Sequence, residues 1–340
     1  MAHFHDSIRR RDSEYKSVDS AGALQPAAAA RSRRGTPVMR FLKRHWISYL
    51  FVLPAVVFLV GLLLIPIVNV IVDSFFNVNL LRPDANGFVG LDNFVRAVSE
   101  PLFWSNVWNG VVWTVGSVFG EFVVGLATAL LLNQQVRGRA LFRAIMITPW
   151  VVPIVVAAMT WSWILNGEYG ILNAILRELG IISDNVSWLG NKWTAMLAVI
   201  NTNVWRSFPF WTLSYLAVLQ TIDRAELEAA ELDGANALQR LWYIVLPKLK
   251  GITLILSILN VIWVFNNFDF IWLMTQGGPL NATETLAIQT YLLAFEQYRF
   301  GEASAVAVIM LLMLLVAIGL YFYIQRRRAR RIDAYTANKG

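Results

Sequence analysis

Ile222 to Pro247 reads IDRAELEAAELDGANALQRLWYIVLP, a polar stretch set between two long apolar runs. Ala225 to Asp233 is rich in Ala, Glu and Leu, all strong helix formers. Asp223 is placed to cap the start of that helix, with Glu226 three residues on as in a capping box. Gly234 adopts a left-handed conformation at no steric cost and so ends it. Leu238, Leu241, Trp242 and Val245 then recur at helical spacing and give a second helix one apolar stripe. Pro247 is expected to stop that second helix. The stretch is therefore predicted to be helix, bend, helix, with one apolar side to bury. An amphipathic pair lying on a membrane surface is the rival reading.

The runs on either side decide the class. The chain is 57% hydrophobic and 15% charged over 340 residues. Six apolar runs stand out: Ile47–Val72, Val107–Leu132, Leu141–Leu165, Trp193–Leu219, Gly251–Thr275 and Ala303–Ile324. Each is long enough to cross a hydrocarbon core of about 30 Å. The first is too long for a signal peptide, and no small-residue cleavage site follows it. Pro54, Pro66, Pro149, Pro153 and Pro209 fall inside runs, where kinked membrane helices tolerate proline.

Of the 29 Lys and Arg residues, 23 lie before the first run, between the second and third or at the start of the third (Arg143), in the 222–247 stretch and its exit, or after the last run. Arg82, Arg96, Arg177, Lys192 and Arg299 lie on the opposite side, and Arg206 alone lies deep within a run. The positive-inside rule puts both termini and the 222–247 stretch in the cytoplasm. Because these charges flank apolar runs rather than line one face, no nucleic-acid partner is expected. The expectation is an all-α membrane protein of six transmembrane helices. A disordered basic cytoplasmic tail is predicted at 1–44, the membrane domain at 45–325 with its loop at 221–247, and a second basic cytoplasmic tail at 326–340.

Several chemistries are excluded by composition. There is no cysteine, so no disulfide, thiolate nucleophile or Cys-ligated metal exists here. The three histidines, His3, His5 and His45, all precede the first run. No phosphate-cradling G-x(4)-G-K-[ST] loop occurs, so any pumping requires an outside energy source. A membrane enzyme has few candidates without His, Cys or paired carboxylates in the spans.

Glu228-Ala229-Ala230, Gly234, Ile244, Leu246 and Pro247 have the spacing E-A-A-x(3)-G-x(9)-I-x-L-P. It resembles the EAA loop of membrane subunits of ATP-binding-cassette importers. NNFDFIWLMTQGGP from Asn266 to Pro279 and FVGLDNF from Phe88 to Phe94 are similar to the carbohydrate branch. Together the likeness covers about residues 47–325 and is to maltose-importer-type permeases in their compact six-span form, without the extra N-terminal spans and large outside domain of the maltose permease itself. The resemblance implies the type I importer permease architecture. It implies that the 221–247 loop docks into a groove of a separate ATPase. It also implies three kinds of partner within the bilayer and around it: a second permease chain, usually a different one; two ATPase copies, which bind ATP and Mg; and an extracytoplasmic sugar-binding protein. No cofactor is expected in this chain.

The resemblance also carries over two pocket faces. In the family, sugar touches the span before the loop and the span after it. Alignment on Pro209-Phe210 gives Asn203, Arg206, Ser207 and Phe210; alignment on Phe265–Phe268 gives Asn260, Trp263, Val264 and Asn267. Each set has the i, i+3, i+4, i+7 spacing of one helix face and mixes polar groups with an aromatic ring. Helix–helix contacts are the alternative, since Asn and Ser also join membrane helices. Val264 lacks the polar side chain the family has at that place. Arg206 has two readings: a contact to a carboxylate, sulfonate or phosphate on an acidic sugar, or a buried ion pair with Glu121. The expected function is the permease subunit of an ATP-driven, binding-protein-dependent importer of a sugar or sugar derivative, with no enzymatic activity of its own. The alternative is an ion-coupled secondary transporter, for which Glu121 and Asp269 are the only acids available.

Overall fold

The computed structural model of the chain describes residues 37–134 and 138–337. The chain divides into two units, Met1–Val60 and Gly61–Gly340. In the first, the described residues form helix α1 (Pro37–Leu59). Residues 37–44, expected to belong to a loose tail, are helical. The rest of that expected tail, residues 1–36, lies outside the described residues.

In the second unit, α2 (Ile65–Asp73) leads into a short antiparallel ribbon. Its strands are β1 (Phe76–Asn77) and β2 (Gly87–Phe88), with Phe76 opposite Phe88. α3 (Asp92–Ser99) follows, and the buried Asn93 donates to the carbonyls of Ser74 and Phe76, both at 2.9 Å. Next come α4 (Pro101–Asn133), α5 (Arg139–Val151), α6 (Ile154–Ile164), α7 (Ile171–Glu178) and α8 (Lys192–Leu219). Then come α9 (Arg224–Leu232), α10 (Ala237–Arg240), α11 (Leu246–Phe265), α12 (Asp269–Thr275), α13 (Leu286–Tyr291) and α14 (Phe300–Ala337).

Among the described residues, four helical stretches are long and apolar enough to cross a membrane: Tyr49–Asp73, Pro101–Asn133, Ala237–Phe265 and Phe300–Arg327. α5 and α6 together make a fifth, bent by 97° at Val152–Pro153. Two of the six expected runs therefore differ from simple spans. The third is broken, because Pro153 has no N–H and disfavours helix at Val152. The fifth, Gly251–Thr275, is interrupted between Phe265 and Asp269. The fourth folds as α8, 28 residues long but studded with Asn201, Asn203 and Arg206, which lower its apolarity.

α8 is the centre of the second unit, and α4 packs along it. Small residues on α4 let the two backbones approach. A methyl group on Gly120 would lie 2.6 Å from Val204 Cγ2, and one on Gly125 would lie 2.5 Å from Trp211 Cβ. Below them Trp211 and Tyr215, both fully buried, pack with Leu249 of α11. Above them Trp113 packs with Val199 and Ile271.

The 222–247 stretch forms the helix, bend and helix its sequence predicts. Asp223 accepts from Ala225 N at 3.0 Å, and Gly234 sits at φ +86°. Ala235 N bonds Ala230 O at 2.9 Å and Gly234 N bonds Glu231 O at 3.0 Å, the paired closure of a Schellman end. Two details differ. The reciprocal capping box forms not at Asp223 and Glu226 but at Asn236 and Gln239, opening α10; Glu226 instead pairs with Lys248. Pro247 does not stop the second helix. Residues Leu241–Val245 take a wider π-turn, and the helix runs unbroken from Ala237 to Phe265. The wide turn relieves the ring's clash with the preceding turn and leaves the missing N–H harmless.

Candidate functional site

The break in the α5–α6 pair, the middle of α8 and the end of α11 meet around one cavity of about 300 Å³. α8 contributes Asn203, Arg206, Ser207 and Phe210, one face at helical spacing. α11 contributes Asn260, Trp263 and Val264. Asn267 also lines the cavity, but from the link after α11 rather than from its helical face. That link turns because Asn266 ends the helix and the Asn267 Oδ1 accepts from Phe270 N at 3.3 Å. The end of α11 is pinned to α4 by Trp113, whose Nε1 donates to Val264 O at 2.8 Å. Trp150, Ile154 and Phe270 complete the lining. Sequence reasoning missed these three; the flanking Pro149 and Pro153 were the signal that this segment breaks and turns inward.

Each amide at the cavity has one end committed. Asn203 donates through Nδ2 to Glu121 Oε1 at 2.9 Å. Asn260 donates through Nδ2 to Leu256 O at 3.0 Å. Their Oδ1 atoms make no hydrogen bond among the described residues, whereas in Asn267 the Nδ2 end is the one left over. Trp150 stacks on Phe210 with centroids 6.0 Å apart and planes at 26°. Phe210 meets Trp263 at 5.9 Å, which continues the aromatic strip. Free acceptors, free donors and flat rings on one wall suit a solute with hydroxyls on its edges and C–H groups on its face.

The buried ion pair between Glu121 and Arg206 does not form. Arg206 turns away and donates through Nε to Val152 O at 3.3 Å. The reason is the helix break: Val152 is extended at φ −64° and ψ 129°, so its carbonyl is not taken up by a following helical N–H. Glu121 is satisfied by Asn203 and by Trp211, whose Nε1 donates to Oε2 at 2.8 Å. Asp269 is exposed.

The loop residues lie apart from the cavity. Glu228, Ala229, Gly234 and Pro247 are exposed, and Ala230, Ile244 and Leu246 are half-buried. Ion pairs Arg240–Glu231 and Lys248–Glu226 tie α9 to the second helix. Of the predicted apolar stripe, Val245 is buried and Leu241 half-buried, while Leu238 and Trp242 stay exposed. Ile222, Leu227, Leu238 and Leu241 line a crevice of about 670 Å³ between the two helices and the end of α4.

Residues 94–330 match the model of the family described as "Binding-protein-dependent transport system inner membrane component". The trehalose/maltose transport system permease protein MalF of Thermococcus litoralis is 36% identical over 256 residues, covering 75% of this chain and 84% of that protein. The sulfoquinovosyl glycerol transport system permease protein SmoG of Agrobacterium fabrum is 32% identical over 262 residues, covering 76% and 84%. Among solved structures, a chain of a bacterial ABC transporter involved in the import of the acidic polysaccharide alginate superposes with a TM-score of 0.74. That match covers 85% of this chain and 98% of the other; at 22% identity it speaks to the fold.

Proposed function

This chain belongs to the family of inner-membrane components of binding-protein-dependent transport systems, and from that premise we propose that it is the pore-forming permease subunit of an ATP-driven sugar importer. The observation that carries the substrate class is the convergence of three amides, Ser207, Arg206 and an aromatic strip on one cavity between α8 and α11. The two relatives above are named for transport of sugars or sugar derivatives. Arg206 has no ion-pair partner among the described residues, which favours a sugar bearing a carboxylate or sulfonate over a neutral one.

The energy comes from elsewhere. The exposed face of α9 and α10, with Glu228, Ala229 and Leu238, is the surface offered to an ATPase that binds ATP and Mg. Gly234 sets the angle between the two helices. A second permease chain completes the pore, two ATPase copies drive it, and an extracytoplasmic binding protein delivers the solute. Both termini and the loop face the cytoplasm in this reading, which the distribution of Lys and Arg supports.

Proteoliposomes holding the chain with its partner permease, ATPase and binding protein test the reading. Labelled trehalose and a labelled glucuronate-bearing disaccharide are the probes. ATP-dependent uptake of either is expected, lost in Asn260→Leu while the complex still assembles. Uptake that follows an ion gradient without ATP would establish the secondary-transporter alternative instead. Cysteines at Asn86, Asp184 and Asn281 are expected to label from outside and those at Gly138 and Ala235 only from inside; outside labelling at Ala235 would overturn the topology.

A further inference from the structure

Glu121 lies within α4 with no exposed surface, next to Gly120 and one hydrogen bond behind the cavity wall. Its two oxygens have two donors, Asn203 Nδ2 at 2.9 Å and Trp211 Nε1 at 2.8 Å, and no cation pairs with it among the described residues. The choice of side chain is informative. An indole only donates, so Trp211 needs an acceptor opposite it. A glutamine at 121 would supply that acceptor, but its other end would be an NH₂ group. Asn203 would then have to turn its oxygen toward residue 121 and its NH₂ toward the cavity. In the structure both Glu121 oxygens accept, so Asn203 donates through Nδ2 and presents Oδ1 to the cavity. An ionisable group within a span is costly and rare where packing alone is needed, and a glutamine would staple α4 to α8 equally well.

We propose that Glu121 is a positioning residue for solute specificity: it locks the Asn203 amide so that the cavity wall accepts, rather than donates, a hydrogen bond at that point. The solute it selects carries a hydroxyl or other donor there. Trp211, fully buried, holds the carboxylate in register from the other side. This rests on reading the cavity as the solute site.

The test uses Glu121→Gln in the complete complex with its permease partner, ATPase and binding protein. Uptake of whichever of the two labelled sugars, trehalose or the glucuronate-bearing disaccharide, the wild-type complex transports should show KM raised about tenfold, the worth of one hydrogen bond, with kcat within about twofold. Glu121→Gln combined with Asn203→Asp should return KM to within about threefold of wild type. The aspartate gives one oxygen to the glutamine NH₂ and keeps the other on the cavity. Side-chain amide exchange of Asn203, followed in complex labelled with ¹⁵N-asparagine in nanodiscs, should be slow in wild type and faster by about tenfold or more in Glu121→Gln. Wild-type KM in Glu121→Gln, or equal exchange in both proteins, would overturn the proposal and reduce Glu121 to a staple. If Glu121→Gln does not assemble, fast exchange of Asn203 in the wild-type protein overturns it alone and slow exchange upholds it. If wild type takes up no sugar, the transport reading fails, while the exchange measurement still decides the orientation of Asn203.

Discussion

Arg206 of α8 donates through Nε to the carbonyl oxygen of Val152, at the point where α5 breaks from α6. The contact holds the bent segment against the central helix and leaves the two terminal guanidinium nitrogens for the cavity. It also fixes what Glu121 and Arg206 are to each other: two independently satisfied groups. Arg206→Gln and Glu121→Gln are therefore expected to change thermal stability additively, within about 0.5 kcal/mol, in a double-mutant cycle of unfolding in detergent. Rescue of one by the other, with a coupling above about 2 kcal/mol, would restore the ion pair.

A methyl group added to Gly234 would meet nothing within 4 Å, yet the residue's φ of +86° lies in the left-handed region. The constraint is conformational rather than steric. Gly234→Val should cost about 1–2 kcal/mol locally and uncouple ATP hydrolysis from uptake, whereas Gly234→Asn, which tolerates this region, should retain most uptake. Equal uptake by the valine and asparagine variants would separate the bend from coupling.

Gly120 is the opposite case, limited by space. Gly120→Val should push α8 away at Val204 and lower stability by about 1–3 kcal/mol, read as a fall in unfolding temperature. Gly251, helical with open space around it, is the control, and its alanine variant should unfold at or somewhat above the wild-type temperature.

Glu284 is buried and accepts from Asn106 Nδ2 at 2.7 Å. Burial pushes its carboxyl above the ordinary carboxylate range, and the Asn106 bond pulls the other way without cancelling the shift. The folded chain thus keeps a proton that the unfolded chain releases. This contribution to stability is full below the unfolded value and is lost as pH rises through the folded one. Glu284→Gln should flatten that fall in unfolding temperature across the same interval; an unchanged slope would mean that another group titrates.

What the sequence disclosed was whatever depends on local periodicity. The Asp223 cap and the Gly234 bend follow from spacing within one helix, whereas the α8 face from Asn203 to Phe210 is carried over by the family resemblance and only then found to keep helical spacing. Three features needed the rest of the chain. Pro247 reads as a terminator until the π-turn before it absorbs the ring. Asn267 keeps helical spacing on paper, but the helix has ended at Phe265, and it reaches the cavity from a link instead. Glu121 and Arg206 lie at similar depth, so charge alone pairs them; the indole of Trp211 and the freed carbonyl of Val152 are competing partners that become visible only in three dimensions.

The π-turn at Leu241–Val245 has a mechanical consequence. Because Pro247 does not interrupt the helix, Ala237 beside the exposed loop and Asn260 on the cavity wall belong to one continuous helical stretch. At about 1.5 Å per residue they stand roughly 35 Å apart. Tilting such a lever by about 5° about one end carries the other by roughly 3 Å, about the length of a hydrogen bond. A small rocking at the loop end is therefore enough to shift Asn260 by a hydrogen-bond length at the cavity wall. A hinge at the proline would have dissipated it.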